Sequence, residues 1–289
     1  MKLCFLIQCH RFSPSLEYTV NKILADENSN ILIHVDKKSN LEEFEKLNLD
    51  RVTFIKNRIN VSWGAVSQIE VAIKLLSEAE KLGFDYASFI SGDDVLIKSV
   101  EEFKYYLSKN GDLEYLGIDH VVPYEKILER VAYRYPTCFY DRSGSISSKI
   151  LIKFYSTLFK LGFLKNKKSI KYPRLYKGSN WFTISINLTR YILNELRNEP
   201  SLISFFEDSL CCDEVLFQTI VMNSKYKGKL NMGPDDNYAS LRYINWIDGP
   251  EYPKVLNIND LRSNFDESIF FIRKVNPSIS VSCIAELFG

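Results

Sequence analysis

Two neighbouring carboxylates, Asp93 and Asp94, follow a largely apolar segment in the first third of the chain. This segment, residues 84–91, lies between two helical patterns and is typical of a buried parallel strand. Gly92 lets the backbone turn sharply where the strand ends. Because open α/β sheets bind their ligands at the carboxyl ends of their strands, the two acids are candidate ligand-binding groups. On these residues alone, a polar turn that caps the next helix is the alternative.

A second segment, residues 142–194, contains eleven lysines and arginines and no aspartate or glutamate. Apolar side chains recur within it at helical spacing, at Ile150, Leu151, Phe154, Leu158 and Leu161, with Lys149, Lys153 and Lys160 flanking the stripe. A basic amphipathic helix can lie in a membrane interface, so the pattern predicts peripheral contact with an anionic membrane through residues 142–177. The alternative is an ordinary helix that packs its apolar face on the protein and exposes its basic face.

The elements that would position these groups alternate regularly over the first 110 residues. Strands are predicted at residues 2–9, 30–35, 52–55 and 84–91, and helices at residues 15–25, 41–47, 65–81 and 100–107. This alternation predicts the α/β class, with a Rossmann-like, nucleotide-binding half and a central, mostly parallel sheet. The rest of the chain is less regular and no clean linker interrupts it. We therefore expect a single domain over residues 1–289.

The composition argues against several classes of protein. A net charge of +1 over 289 residues argues against a nucleic-acid-binding protein. The six cysteines show no metal-ligand spacing, and no signal peptide is recognisable, so the sequence predicts a reduced, cytoplasmic protein. No apolar run reaches the roughly 18 residues that a membrane-spanning helix needs.

Several short motifs occur in a specific order along the chain. They are HVDK at 34–37, SWGAVS at 62–67, SGDD at 91–94 with Lys98 and Ser99, GSNWF at 178–182, DE at 213–214, LR at 241–242 with Trp246, and RK at 273–274. In this order they resemble the core-2/I-branching β-1,6-N-acetylglucosaminyltransferase family, which includes the peptide O-xylosyltransferases. The animal enzymes carry a membrane anchor and a luminal disulfide set. Neither is seen here, so the chain resembles a bacterial-type member.

The resemblance implies a GT-A-like glycosyltransferase fold and an inverting reaction. A sugar, for which N-acetylglucosamine is favoured, would pass from a UDP-sugar to a hydroxyl of a glycan acceptor, free or lipid-linked, in surface polysaccharide synthesis. Residues 1–110 would bind the nucleotide sugar, and residues 111–289 would bind the acceptor and carry the catalytic base. Glu214 aligns with the family's base, which removes the acceptor proton. Cys212 stands where the family often has proline, and the acids could instead complement a helix dipole.

The departing UDP needs positive charge to stabilise it. Many GT-A enzymes supply a divalent metal through an Asp-x-Asp motif, but Asp93 and Asp94 have the wrong spacing for it. The family resembled here works without metal and uses basic side chains near the C-terminus, so no metal or other cofactor is expected. Lys274, preceded by Arg273, matches the family position. Lys254 and Arg242 are both candidates for the second basic contact.

The resemblance also implies contacts to the nucleoside and to the acceptor. Trp63 aligns with an aromatic nucleotide contact, and Asp36 is placed at a strand end where it could accept from ribose hydroxyls. The end of the first strand adds three candidates, Gln8, Cys9 and His10. The candidate acceptor-binding residues are Asp94, Arg130, Arg134, Ser179 and Trp181.

Other kinds of protein have to be weighed against this assignment. A metal-dependent nucleotide-sugar enzyme of another class would also place acids after a parallel strand, and strict dependence on magnesium or manganese would favour it. A xylosyl-type transferase would use a different donor sugar. A catalytically inactive carbohydrate-binding module would bind the donor without releasing UDP.

Overall fold

Nine strands can be assigned in the computed structural model, which describes residues 1–248 and 253–289. They are β1 (Leu3–Cys9), β2 (Ser29–Val35), β3 (Val52–Phe54), β4 (Tyr86–Ser91), β5 (Val95–Leu96), β6 (Tyr115–Leu116), β7 (Phe182–Ser185), β8 (Arg242–Ile244) and β9 (Phe271–Arg273). Six of them form a central sheet in the order β3-β2-β1-β4-β7-β6, and three form a small sheet in the order β5-β9-β8. The predicted α/β class with a mostly parallel central sheet is confirmed.

The first four strands of the central sheet run parallel. β1 pairs with β2 on one side and with β4 on the other, with Cys9 opposite Val35 and Gln8 opposite Ser91. These strands are almost wholly buried, as expected for a parallel sheet covered on both faces. Their carboxyl ends therefore meet at one edge, called here the carboxyl edge.

The other two strands of this sheet bring later parts of the chain to the same edge. β7 runs antiparallel to β4, with Phe182 opposite Phe89, so it begins at the carboxyl edge. β6 runs antiparallel to β7 and therefore ends there. As a result, residues 117–119 and 178–181 lie beside the ends of the parallel strands. The antiparallel direction of β7 was not predicted from the sequence.

The small sheet joins the C-terminal region to the turn after β4. β5 follows that turn directly and pairs with β9, with Val95 opposite Ile272. The backbone amide of Val275 donates to the carbonyl of Asp93 over 3.3 Å. Residues 273–274 are thereby held beside residues 93–94, although some 180 positions separate the two pairs in the chain.

Eleven α-helices occur in the described ranges, together with short 3-10 helices. They are α1 (Pro14–Leu24), α2 (Val66–Leu82), α3 (Val100–Lys109), α4 (Tyr124–Ala132), α5 (Ile146–Lys160), α6 (Ile186–Asn198), α7 (Ser201–Phe206), α8 (Leu216–Met222), α9 (Asp236–Ala239), α10 (Ile258–Leu261) and α11 (Val281–Phe288). The predicted helices at 15–25, 65–81 and 100–107 are confirmed to within two residues, whereas the helix predicted at 41–47 is a 3-10 helix.

Local sequence explains how the longer helices begin. Ser13 caps α1 by accepting the amide of Leu16, with proline at the first helical position. Ser99 and Glu102 form a reciprocal capping box at the start of α3. α2, α6 and α8 pack on one face of the central sheet, and α1 and α3 pack on the other. No helix within residues 1–248 and 253–289 has both the length and the apolar character required to cross a membrane.

Candidate active site

The carboxyl edge has a switch point between β1 and β4, because the strand order reverses there: β2 and β3 follow on one side of β1, whereas β4 lies on its other side. Open α/β sheets bind ligands in the crevice at such a point. The residues that follow β1 are His10 and Arg11, and those that follow β4 are Gly92, Asp93 and Asp94. The structure therefore brings the first predicted acids to the place where a ligand is expected.

Asp93 joins two basic side chains from distant parts of the chain. Its Oδ1 accepts from Arg11 Nη2 over 2.9 Å, and its Oδ2 lies 3.2 Å from Lys274 Nζ. Burial raises the pKa of the Asp93 carboxyl, but the charges of Lys274, Arg11 and Arg273 outweigh burial, and the pKa is lowered overall. Asp93 is thus an anion that holds cations at the switch point. We call Arg11, Arg273 and Lys274 the basic cluster.

Asp94 lies beneath this cluster and is fully buried. Its Oδ2 accepts from the backbone amide of Ser91 over 2.6 Å, and its Oδ1 lies 3.3 Å from Arg273 Nε. The guanidinium of Arg273 lies 4.4 Å from the ring centroid of Trp181. The placement contradicts the predicted acceptor-binding role of Asp94, because no side-chain surface is left for a ligand. Asp94 instead orients Arg273.

The second basic contact predicted from the sequence also needs correction. Arg242 is fully buried, and it donates to the carbonyl of Phe89 over 2.8 Å and to that of Ser240. Burial lowers the pKa of Arg242 to about 9. This arginine supports the junction of the two sheets and cannot contact a diphosphate. Arg11 and Arg273 are the bases that the structure brings to Lys274.

Lys254, the other candidate, pairs with acids outside the switch point. Its Nζ lies 2.8 Å from Asp260 Oδ1 and 3.5 Å from Asp248 Oδ2. Within the described part of the chain, Lys254 makes no ion pair with an acid of the switch point. Each acidic partner is six residues from Lys254 in the chain, so these ion pairs are local.

The residues predicted to bind the nucleoside are only partly available. Asp36 accepts the amides of Lys38 and Val61 on Oδ1, over 3.0 and 3.4 Å, and is nearly buried. Cys9 is buried and its thiol faces the carbonyl of His34 over 3.7 Å, which contradicts a ligand contact. His10 is exposed at the switch point, whereas Gln8 beside it is half-buried.

Trp63 offers a stacking surface at the same edge. Its side chain is 43% exposed, and the guanidinium of Arg142 lies 3.0 Å from its ring centroid. Arg142 precedes α5, so the loop before that helix covers part of the ring. Gly64, the next residue, is fixed by the amide of Cys211, which donates to the Gly64 carbonyl over 2.7 Å. Trp63 therefore lies beside the loop that carries the predicted base.

Glu214 ends a short 3-10 helix, Cys212–Glu214, and keeps 30% of its side chain exposed. Its Oε2 lies 2.7 Å from Arg130 Nη1 and 3.6 Å from Lys177 Nζ. The Glu214 carbonyl accepts the amide of Gly178 over 3.0 Å. These contacts fix a carboxylate at the carboxyl edge with one oxygen engaged. Cys212, which precedes the Asp213–Glu214 pair, is fully buried.

Close approach of three backbone segments places more charge near Glu214. A Cβ on Gly117 would come within 1.8 Å of the Asp236 carbonyl oxygen, and one on Gly178 within 1.9 Å of the Gly117 oxygen. Only glycine fits at such contacts. Lys177, next to Gly178, pairs with Asp119 over 3.2 Å as well as with Glu214. Burial raises the pKa of Asp236 to about 6.

The remaining residues that were predicted to bind the acceptor differ in whether they lie beside Glu214. Arg130 contacts Glu214, whereas Arg134 forms an exposed ion pair with Asp208 over 2.9 Å. Ser179 is buried, and its carbonyl accepts from Gln218 over 2.6 Å, so it supports the loop. Trp181 is half-buried, with its ring centroid 5.0 Å from that of Phe89.

Four charged residues of this region were not predicted from the sequence: Arg11, Asp119, Lys177 and Asp236. Two of them had a usable signal, because Arg11 and Asp119 each follow the carboxyl end of a strand within three residues. Lys177 precedes the GSNWF motif directly. Asp236 has no local signal, since only the close contact with Gly117 brings it here.

The buried carboxyl of Asp213, next to Glu214, should make the stability of the folded protein depend on pH. Burial, and next the charge of Glu214, raise the pKa of Asp213 from 3.8 to about 7. The folded protein then binds this proton more tightly than the unfolded chain does, so stability is lost as the pH rises from about 4 to 7. Relative to wild type, Asp213→Asn should gain several degrees in Tm over this range, which thermal unfolding at a series of pH values would measure. A Tm difference that does not change with pH would contradict it.

A large cleft lies elsewhere on the molecule. It has a volume of about 980 Å³ and is lined by residues that include Asp85, Glu114 and Lys229. Asp85 and Glu114 directly precede β4 and β6, so the cleft lies at the edge of the sheet opposite the basic cluster and Glu214. The cleft is therefore not part of the candidate active site.

Comparison with known proteins adds an independent observation. The sequence profile of the family described as "Core-2/I-Branching enzyme" matches residues 3–269. No curated protein matches the sequence. A solved structure titled "Crystal structure of 4-diphosphocytidyl-2C-methyl-D-erythritol synthase" is similar, with 11% identity, a TM-score of 0.35, and coverage of 70% of this chain and 84% of that chain. Another, a mannose-1-phosphate geranyltransferase from Thermus thermophilus, has 11% identity, a TM-score of 0.36, and coverage of 76% and 72%. At 11% identity and TM-scores of 0.35 and 0.36, neither structural similarity bears on the function of this chain.

Proposed function

The chain belongs to the core-2/I-branching enzyme family, which makes it a glycosyltransferase acting on glycans, and from this premise we propose its reaction. The enzyme transfers a sugar from a UDP-sugar to an acceptor hydroxyl with inversion at the anomeric carbon. N-acetylglucosamine is the favoured sugar, and the acceptor is a glycan or lipid-linked glycan of a surface polysaccharide. The observation that carries this proposal is that a part-exposed carboxylate and three basic side chains meet at one sheet edge.

Glu214 acts as the general base in this proposal. The acceptor hydroxyl must lose its proton while its oxygen attacks the anomeric carbon from the face opposite the diphosphate. Glu214 Oε2 is held by Arg130 and Lys177, and Oε1 accepts no hydrogen bond from the described residues. A carboxylate oriented through one oxygen can receive the proton on the other. Arg130 and Lys177 then act as positioning residues for the base.

The basic cluster stabilises the departing UDP. Negative charge develops on the leaving diphosphate, and preorganised cations lower the energy of that state without rearrangement during the reaction. Lys274 Nζ is held by Asp93 and Arg273 by Asp94, so neither cation has to be ordered when the donor binds. Arg11, on the other oxygen of Asp93, adds a third positive charge.

The nucleoside is bound on the β1–β2 side of the same edge. The exposed surface of Trp63 stacks on the uracil ring, and Asp36 accepts from the ribose through the face that its backbone donors leave open. His10 is exposed between these groups and the basic cluster. This order sets uridine, diphosphate and transferred sugar along the edge toward Glu214.

The same cluster supports a reaction without a divalent metal. Both carboxylate oxygens of Asp93 face cations, and those of Asp94 face Arg273 and a backbone amide. These acids are therefore already neutralised by the protein's own donors. A metal ion bound there would have to displace Arg11, Lys274 or Arg273, which perform the same electrostatic task.

A UDP-release assay over a panel of UDP-sugars, with and without EDTA, tests the proposed function. We expect UDP-N-acetylglucosamine to give the fastest acceptor-dependent release, and EDTA to leave that rate unchanged, because the basic cluster supplies the positive charge. Detection of the product's anomeric configuration by NMR would check inversion.

Three outcomes would contradict this proposal, each in a different way. Release only from UDP-xylose would favour a xylosyl-type transferase. Loss of activity in EDTA with recovery in manganese would favour a metal-dependent nucleotide-sugar enzyme and make Asp93 and Asp94 its candidate ligands. Donor binding without UDP release, for every acceptor tried, would favour a carbohydrate-binding module.

A further inference from the structure

The outward face of α5 is apolar. Ile146, Ile150 and Phe154 recur at every fourth position and are 78%, 64% and 56% exposed. Leu161 and Phe163, just beyond the helix, are also largely exposed. Side chains four residues apart share one face of a helix, so Ile146, Ile150 and Phe154 form one surface, and Leu161 and Phe163 follow the C-terminal end of the helix. We call Ile146, Ile150, Phe154, Leu161 and Phe163 the α5 patch.

The patch is not the packing face of the helix. Phe159 is buried, and its ring stacks on that of Tyr133 with centroids 4.4 Å apart. The rings of Tyr135 and Phe139 also contact Phe159, at 5.3 and 5.5 Å. Thus α5 has a separate apolar side that already packs on the protein. The alternative of an ordinary helix with a solvated basic face does not explain the exposed apolar residues.

Positive charge lies beside the patch. Lys149, Lys153 and Lys160 are exposed and lie along one flank of it. Residues 142–194 contain no acid in sequence. Some bases of this segment are engaged elsewhere, since Lys168 pairs with Glu207 and Lys171 with Glu195. The three lysines of α5 itself are exposed beside its apolar side chains.

We propose that the α5 patch docks on the surface of an anionic phospholipid bilayer. An interfacial helix inserts its apolar face at the boundary of headgroups and acyl chains and is held by basic residues near anionic headgroups. The α5 patch provides the apolar face, and the flanking lysines provide the basic residues. A second copy of the chain fits less well, because a two-fold pairing of patches would bring two sets of three lysines together, with Asp141 as the acid beside the start of each α5.

Docking through α5 would also orient the molecule. Arg142, which precedes α5, contacts Trp63. The buried Phe159 of α5 stacks on Tyr133, which directly follows α4, the helix that carries Arg130. The patch is thus connected to the side of the candidate active site that holds Glu214. A bilayer-bound enzyme would keep that side near the membrane surface. The proposal itself does not depend on the reaction catalysed.

Sedimentation with vesicles tests the docking surface. We expect the full-length protein to pellet with phosphatidylcholine vesicles that contain phosphatidylglycerol, and to remain in the supernatant with pure phosphatidylcholine. Binding should be lost at about 1 M salt, where the screening length falls to about 3 Å. Lys149→Glu with Lys153→Glu should lower the partition coefficient at least about 25-fold, at about fivefold per lysine. Ile150→Ser with Phe154→Ser should lower it on the order of 100-fold.

A matched control separates the patch from net charge. Lys109→Glu with Lys227→Glu changes the charge equally at two exposed lysines outside α5, and it should bind vesicles like wild type. Thermal unfolding of each variant checks that it is folded. Wild-type protein that stays in the supernatant with anionic vesicles at low salt would overturn the proposal. So would equal loss in the control variant, or a patch-dependent dimer in sedimentation equilibrium that does not bind vesicles.

Discussion

Replacing Glu214 by glutamine is expected to lower the turnover of sugar transfer by on the order of 100- to 10,000-fold, which is the usual effect of losing a general base. Glutamine keeps the shape of the side chain and can still accept from Arg130 through its carbonyl oxygen. It cannot take a proton from the acceptor hydroxyl. Because the base faces the acceptor, the Kd for UDP should barely change. Turnover at saturating donor and UDP titration calorimetry would measure the two quantities.

A neighbouring acid provides the control for this variant. Glu207 forms an exposed ion pair with Lys168 over 2.8 Å and lies outside the candidate site. Glu207→Gln makes the same change of charge and shape, so it should leave turnover unaltered. Glu214→Gln protein that kept more than about a tenth of wild-type turnover would show that another group removes the proton.

Replacing Lys274 by alanine is expected to slow transfer by on the order of 100-fold, as removal of a single donor to a developing oxyanion does. It should also weaken UDP binding by roughly tenfold or more, since a charged hydrogen bond contributes about 1.5–3 kcal/mol. Both effects are expected because Lys274 reaches the switch point, where its Nζ pairs with Asp93. Measuring Kd for UDP and turnover on the same preparation distinguishes this role from that of Glu214, where only turnover falls.

A paired lysine remote from the site is the appropriate comparison for Lys274. Lys81 lies 2.7 Å from Glu78 on the surface of α2, and Lys81→Ala should change neither UDP affinity nor turnover. If Lys274→Ala bound UDP as tightly as wild type, the diphosphate would lie elsewhere. Arg11 and Arg273 would then have to be tested alone and together.

The elements of the first half followed from local sequence patterns. Long apolar runs predicted β1, β2 and β4, because a strand buried on both faces needs apolar side chains throughout. Helical patterns likewise placed α2 and α3 to within two residues. Such signals are local, so they need no knowledge of the tertiary fold.

Burial of charged residues could not be predicted in the same way. Arg242 and Asp94 looked like ligand-binding groups in sequence, yet both are fully buried, one on backbone carbonyls and the other beneath Arg273. Sequence shows which side chains carry charge. Whether that charge faces a ligand or supports the backbone depends on what packs around it, which is a non-local property.

What the sequence by itself determined was the α/β class, the order of the motifs and the identity of Glu214 and Lys274 as candidates. The tertiary structure decided which groups meet. Arg11 and Lys274 share Asp93 only because β9 pairs with β5, and Lys177 reaches Glu214 only because Gly117 and Gly178 let their backbones touch. The tertiary structure also decided which face of α5 packs on the protein and which face is exposed. These contacts join residues far apart in the chain, so no local pattern of residue types specifies them.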